Sequence, residues 1–155
     1  RKIGEKMRAD GWKGLFGIDI IRDDKSNKIY LIEINARQPA STTFESNLQE
    51  KAHSPMSDIG IGTFEAHLLA LQNKPIDQPL IKINDSAQII QRVTKKVQSI
   101  SNSTIGSLES ADYNVIRYLN TEMNSDLLRI QSTKGIMEAH GKLNARGKEI
   151  IEKIK

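Results

Sequence analysis

Two carboxylates, a carboxamide and a guanidinium fall at Asp19, Glu33, Asn35 and Arg37, the last three at every second position. Alternate positions of an extended strand point to the same face. A strand through Glu33 would therefore aim all three side chains one way. If Asp19 comes opposite Glu33 on a neighbouring strand, the two carboxylates approach with Cβ atoms roughly 4.5–5.5 Å apart. Acids that close repel unless a cation lies between them. Mg²⁺ suits the set, since it takes oxygen ligands at about 2.0–2.1 Å and is usually held by one or two carboxylates together with substrate phosphates. Asn35 adds a neutral oxygen from the same side, and Arg37 offers a bidentate fork for an anion.

The elements that must position these groups are legible nearby. Residues 12–22 are rich in aromatic and β-branched side chains, residues 29–35 alternate tightly, and the polar run Asp23-Asp-Lys-Ser-Asn-Lys28 separates them. Two such runs around such a turn predict an antiparallel β-hairpin. With a five-residue loop over 24–28, Asp23 faces Ile29, Ile21 faces Leu31 and Asp19 faces Glu33. Leu31, Glu33, Asn35 and Arg37 then share a face with Asp19 and Gly17, and Tyr30, Ile32 and Ile34 share the other. A slip of one residue would carry Asp19 to the wrong side.

The pattern Asp19 … Glu33-Ile-Asn35-Ala-Arg37 resembles the magnesium-binding strand pair of the ATP-grasp ligases. Those enzymes carry an acidic residue on one strand and Glu-x-Asn on the next. The resemblance implies that Asp19, Glu33 and Asn35 bind Mg²⁺ (or Mn²⁺) across the phosphates of ATP. Glu-x-Asn-x-Arg is also similar to the biotin-carboxylase-like members, where the arginine lies near the carboxylate or acyl-phosphate substrate, a role that falls here on Arg37. The implied reaction joins a small-molecule carboxylate to an amine or other nucleophile through an acyl phosphate. The match covers residues 1–75 well and the remainder loosely. The family's nucleotide site also uses two upstream lysines and a glycine-rich loop, and nothing like them precedes Arg1. The chain opens in mid-helix without an initiator Met and reads as the C-terminal piece of a longer protein, holding half a site.

Composition fits that expectation. The chain has 155 residues, 37% hydrophobic and 27% charged, which suits one domain or a lobe with a small accessory subdomain. No apolar run approaches the ~20 residues of a membrane helix. The absence of Cys excludes disulfides and thiolate chemistry and accords with a cytoplasmic location. A net charge of +4 invites a basic nucleic-acid-binding domain, but Lys and Arg are widely spread and aromatics amount to 5%. A non-catalytic cation- or nucleotide-binding module is the other alternative to a ligase. Homo-oligomerisation is left open.

Along the chain, residues 1–10 predict a helix stopped at Gly11. Residues 38–46 read as a hydroxyl-rich loop, followed by a weakly patterned stretch to Asp58. Ser41, Thr42 and Thr43 are secondary site candidates, and the simpler reading makes them helix caps. Residues 61–73 predict an amphipathic helix with Phe64, Leu68 and Leu71 on one stripe. His67 beside that stripe reads as a packed helix residue; His53 and His140 carry no assigned role. Beyond a linker at 75–79, residues 87–100 predict a strand, 99–107 a loop, 113–123 either a helix capped by Asp112 or an undecided segment, and 126–131 a short strand. A long final helix is expected after Ser132-Thr133, with Ile136, Leu143, Ile150 and Ile154 on its apolar stripe and three glycines marking close packing or a break. The expected fold is α+β, an antiparallel sheet with packed helices: residues 1–79 as the C-terminal lobe of an ATP-grasp domain and 80–155 as a small α+β subdomain.

Overall fold

A computed structural model describes residues 1–52, 60–139 and 141–154; His53 and His140 lie outside them. The architecture is α+β, with small antiparallel sheets and five helices among the described residues. No helix among those residues is long and apolar enough to cross a membrane. The chain divides into two compact units, Arg1–Ile83 and Asn84–Lys155. The expected boundary after residue 79 falls four residues short, because Ile61 donates to Pro79 O at 2.9 Å and accepts from Ile81 N at 3.0 Å. Those two bonds tie residues 79–81 to the first unit.

In the first unit, α1 (Lys2–Ala9) ends at Gly11, whose φ of +83° a glycine adopts without strain. β1 (Gly17–Arg22) and β2 (Ile29–Asn35) form the antiparallel hairpin. The strand expected from residue 12 starts only at Gly17. Residues 12–16 instead run outside any strand and bend at Gly14, φ +83°, with Leu15 N donating to His67 Nδ1 at 3.1 Å. α2 (Thr42–Ala52) stands where a loop and an unpatterned stretch are expected, and α3 (Thr63–Leu71) follows. The α3 stripe of Phe64, Leu68 and Leu71 is exposed, and Thr63 is the buried residue of this helix.

The hairpin turn is set by Asp23. Its carboxylate accepts from Lys25 N at 3.1 Å, Ser26 N at 3.2 Å and Ser26 Oγ. Asp23 N donates to Lys28 O and Asn27, at φ +54°, donates back to Asp23 O. Aspartate and asparagine favour such turns because their side chains bond nearby backbone and tolerate the left-handed region. The loop is therefore four residues, 24–27, and not five.

In the second unit, β3 (Ala87–Arg92), β5 (Asp126–Ser132) and β4 (Asn114–Arg117) form an antiparallel sheet with β5 in the middle. α4 (Asn102–Ser110) replaces the expected loop; Ser101 caps it by accepting from Thr104 N at 3.1 Å. Residues 113–123 hold a strand, and Asp112 sits at φ +64° as a turn residue rather than a helix cap. The long final helix is divided. β6 (Met137–Ala139) and β7 (Lys142–Leu143) turn at Gly141, and α5 (Ala145–Ile154) begins only after Asn144, whose Oδ1 accepts from Gly147 N at 3.0 Å. Leu128 and Ile130, alternating on β5, pack with Leu108 of α4 and with Ile136, Ile150 and Ile154 in the core of this unit.

Two glycines give opposite expectations. A Cβ at Gly147 would stand 2.5 Å from Ile136 O, whereas one at Gly106 meets nothing within 4 Å. Glycine to alanine inside a helix ordinarily stabilises by about 1 kcal/mol. In urea denaturation followed by circular dichroism, Gly106→Ala is expected to raise the midpoint and Gly147→Ala to lower it, the latter by a loss of about 1–3 kcal/mol of stability through overpacking. Equal effects would contradict this packing. At the turn, hydrogen bonds from Ser26 Oγ and then Lys25 N hold the Asp23 carboxyl below its ordinary value of 3.8. A depressed folded-state value stabilises the turn above the ordinary pKa, and that contribution is lost as pH falls through the folded value. Carboxyl NMR titration should find Asp23 low in the wild type and nearer its ordinary value in Ser26→Ala.

Candidate functional site

The four residues singled out by spacing meet on one side of the hairpin. Asn35 Nδ2 donates to Glu33 Oε1 at 2.8 Å and to Asp19 Oδ2 at 3.4 Å, and Arg37 Nη2 donates to Asn35 Oδ1 at 3.3 Å. Asp19 pairs with Glu33 and Gly17 with Asn35 across the ladder.

The route to that pairing differs from the expected one. Near the turn the strands run Arg22↔Ile29, Ile21↔Tyr30 and Ile20↔Leu31, one residue off the expected alignment. The register then shifts between Ile20 and Asp19, leaving Ile32 as an extra residue on β2. A bulge of this kind inserts one residue opposite a regular partner and re-aims the side chains beyond it. The shorter loop moves the register by one, and the bulge moves it back. Asp19 thus meets Glu33 by two compensating departures. The pairing puts Tyr30, not Leu31, on the Asp19–Glu33–Asn35 face; Leu31 joins Ile18, Ile20 and Ile34.

Arg37 reaches the cluster differently from simple alternation. β2 ends at Asn35, and Arg37 N donates to Asn35 O at 2.8 Å, a three-residue turn that folds the guanidinium back beside Asn35. A Cβ at Gly17 would lie 3.5 Å from both Asn35 Cβ and Pro39 Cγ, so Pro39 closes over the bare position. Asp19, Glu33 and Arg37 are exposed and Asn35 is half-buried. Among the described residues no group of three or more His, Cys, Asp and Glu side chains is arranged to hold a metal. The hairpin set comprises two carboxylates with a carboxamide as third member. All three can present oxygen, without nitrogen rings or sulfur, and both carboxylates are exposed. That donor set fits a hard divalent cation such as Mg²⁺.

The secondary candidates separate. Ser41 and Thr43 are exposed, and Ser41 O accepts from Glu45 N in the first turn of α2. Thr42 is 2% exposed and so is closed to a substrate. His67 is a positioning residue for the segment before β1, through its bond from Leu15 N.

Gln49 is the residue that spacing did not suggest. At 1% exposure, it donates from Nε2 to Thr63 Oγ1 at 2.9 Å and to Ile81 O at 2.8 Å, and its Oε1 accepts from Thr63 N at 2.7 Å. One buried amide thereby joins α2, the start of α3 and the 79–81 segment. A single glutamine within a polar stretch gives no sign of this in sequence. The helix that carries it had a signal in Phe44 and Leu48, four apart, and in Thr42-x-x-Glu45.

A scan against protein-family models, a search of curated proteins and a search of solved structures each return no match to this chain.

The two kinds of polar residue predict opposite responses to substitution. Gln49→Leu leaves Thr63 N and Ile81 O buried without partners and should cost about 1–3 kcal/mol in urea denaturation. Asp19→Asn removes one of two facing like charges from an exposed pair and should leave the midpoint unchanged or slightly raised. Comparable losses in both would contradict a site role for Asp19.

Proposed function

We propose that this chain is the C-terminal, metal-bearing part of an ATP-grasp ligase that joins a small-molecule carboxylate to an amine through an acyl phosphate. The observation that carries the reading is the convergence of Asp19, Glu33, Asn35 and Arg37 on one side of the hairpin, although β1 and β2 depart twice from simple pairing to achieve it. In this reading Asp19, Glu33 and Asn35 would hold Mg²⁺. When bound, the cation would offset the charge that develops on the β- and γ-phosphates of ATP.

The residues of the chain have separate tasks. Asp19 and Glu33 supply negative charge on a wide, open face where a triphosphate can approach. Asn35 supplies a neutral oxygen, which limits the charge of the donor set. Arg37 orients the carboxylate of the second substrate by its two-pronged guanidinium. A carboxylate oxygen attacks the γ-phosphorus, the bond to the β-phosphate oxygen breaks, and ADP leaves with the electron pair. The amine nitrogen then attacks the acyl carbon, phosphate departs, and the nitrogen loses a proton. Positioning and charge suffice, so no nucleophile from the protein is required.

The apolar surface of the hairpin supports the same reading. Its six isoleucines, Tyr30 and Leu31 are 42–64% exposed on both faces. A two-stranded ribbon with neither face covered is marginal in water. In the proposed enzyme the upstream half of the same protein covers it and contributes the lysines and glycine-rich loop.

Turnover tests the proposal. With the full-length protein and a panel of carboxylates and amines, magnesium-dependent ADP release is expected to fall by about a hundredfold or more in Asp19→Asn and Glu33→Gln. Arg37→Ala should weaken carboxylate use while ATP binding persists. Undiminished turnover in the two acid variants, with circular dichroism unchanged, would contradict the assignment.

A further inference from the structure

The three-stranded sheet of the second unit carries three arginines, and two of them share one carboxylate. Arg129 donates to Asp126 Oδ2 from Nε at 3.1 Å and from Nη2 at 2.7 Å, and Arg92 Nε stands 3.7 Å from Asp126 Oδ1. Arg117, the last residue of β4, is exposed and makes no ion pair or side-chain hydrogen bond among the described residues. Its place on the sheet is an uncommon one for a free cation. Arg117 pairs with Leu128, and Val115 with Ile130, across the antiparallel ladder. Opposed residues share a face, as do alternate residues of one strand. Arg117 therefore lies on the face that carries Leu128 and Ile130 into the core with Leu108 of α4.

At that edge of the core Arg117 borders a cavity of about 220 Å³. Ile100, Ile105 and Leu128 also line it, and the last two are buried. Among the described residues around it Arg117 alone carries a charge, and the remaining polar lining consists of amides and hydroxyls. An apolar cavity of about 150 Å³ is enough to take up benzene. This one has room for such a body and for one anionic group beside the guanidinium, whose planar fork matches two carboxylate oxygens.

We propose that this cavity binds a small monocarboxylate whose apolar body is about the size of a benzene ring. The hydrocarbon lies against Ile100, Ile105 and Leu128, and the carboxylate bonds Arg117. The lining sets the class. A second carboxylate would have no cation to meet, and an amine would face the guanidinium as a like charge. Leu119, 97% exposed at the lip, offers further apolar area to the bound molecule. Every lining residue belongs to the second unit, so the proposal does not depend on the reading of the hairpin.

Benzoate and benzamide share a shape and differ in charge, and their titration into the full chain, followed by backbone amide NMR, tests the site. Benzoate is expected to shift the signals of Ile100, Ile105 and Leu128 along saturable curves, and to bind about tenfold or more tightly than benzamide. Arg117→Gln removes the charge at an exposed position and should keep the fold. It should weaken benzoate about tenfold or more and leave benzamide unchanged. Equal affinity of wild type and Arg117→Gln for benzoate, equal affinity of the wild type for both compounds, shifts centred elsewhere, or no saturable shift with benzoate would each overturn the proposal. None of these outcomes bears on Asp19 or Glu33.

Discussion

Asp19 and Glu33 stand opposite each other across the β1–β2 ribbon, and carboxylates in that relation repel. The hairpin brings that pair together through three local features. The turn built on Asp23 fixes a four-residue loop, the extra residue at Ile32 restores the alignment, and the tight turn after Asn35 folds Arg37 back. Each feature alone would part the acids or leave them uncompensated. Together they collect two negative groups, a carboxamide that bonds both, and a guanidinium that bonds the carboxamide. The proposal of a bound cation rests on that collection of groups.

The two units are stabilised by different means. The second has an apolar core in which the middle strand β5 packs against α4 and α5, with Asn144 and Ser101 capping the helices. The first buries only Ile61 and Ile81 among its described large apolar side chains. Helices α2 and α3 are joined by the Gln49 amide, whose donors and acceptor are all matched, so burial of a polar group carries little penalty. Meanwhile the apolar side chains of the hairpin and the α3 stripe face solvent. Such a surface is suited to covering by further protein, as the proposed function requires.

Much of the site was legible in the sequence because strand periodicity is a strong signal. The β2 limits and the shared side of Glu33 and Asn35 follow from alternation; the Asp19–Glu33 pairing and the nearness of Arg37 were expected, but they come about through a bulge and a turn. The way the pairing arises was not legible. Loop length depends on the left-handed Asn27 and the bonds of Asp23, and a bulge leaves no mark in a run such as Ile29 to Asn35. Helices α2 and α4 were obscured by serine and threonine, which read as loop but serve at helix starts. The stripe through Ile136, Ile150 and Ile154 reaches a common core, yet Gly141 and Asn144 divide it between a hairpin and a helix. Gln49 could not be read at all, since burial of a lone polar residue depends on the segments that fold around it.

The central claim is that the hairpin acids bind a divalent cation, and paramagnetic broadening by Mn²⁺ tests it most directly. At substoichiometric Mn²⁺, the backbone amides of Gly17 to Asp19 and Glu33 to Asn35 should broaden first, and those of α5 should stay sharp. In Glu33→Gln that selective broadening should vanish at the same Mn²⁺ concentration. Broadening centred on the Asp23–Asp24 turn, or equal broadening in wild type and variant, would contradict the account.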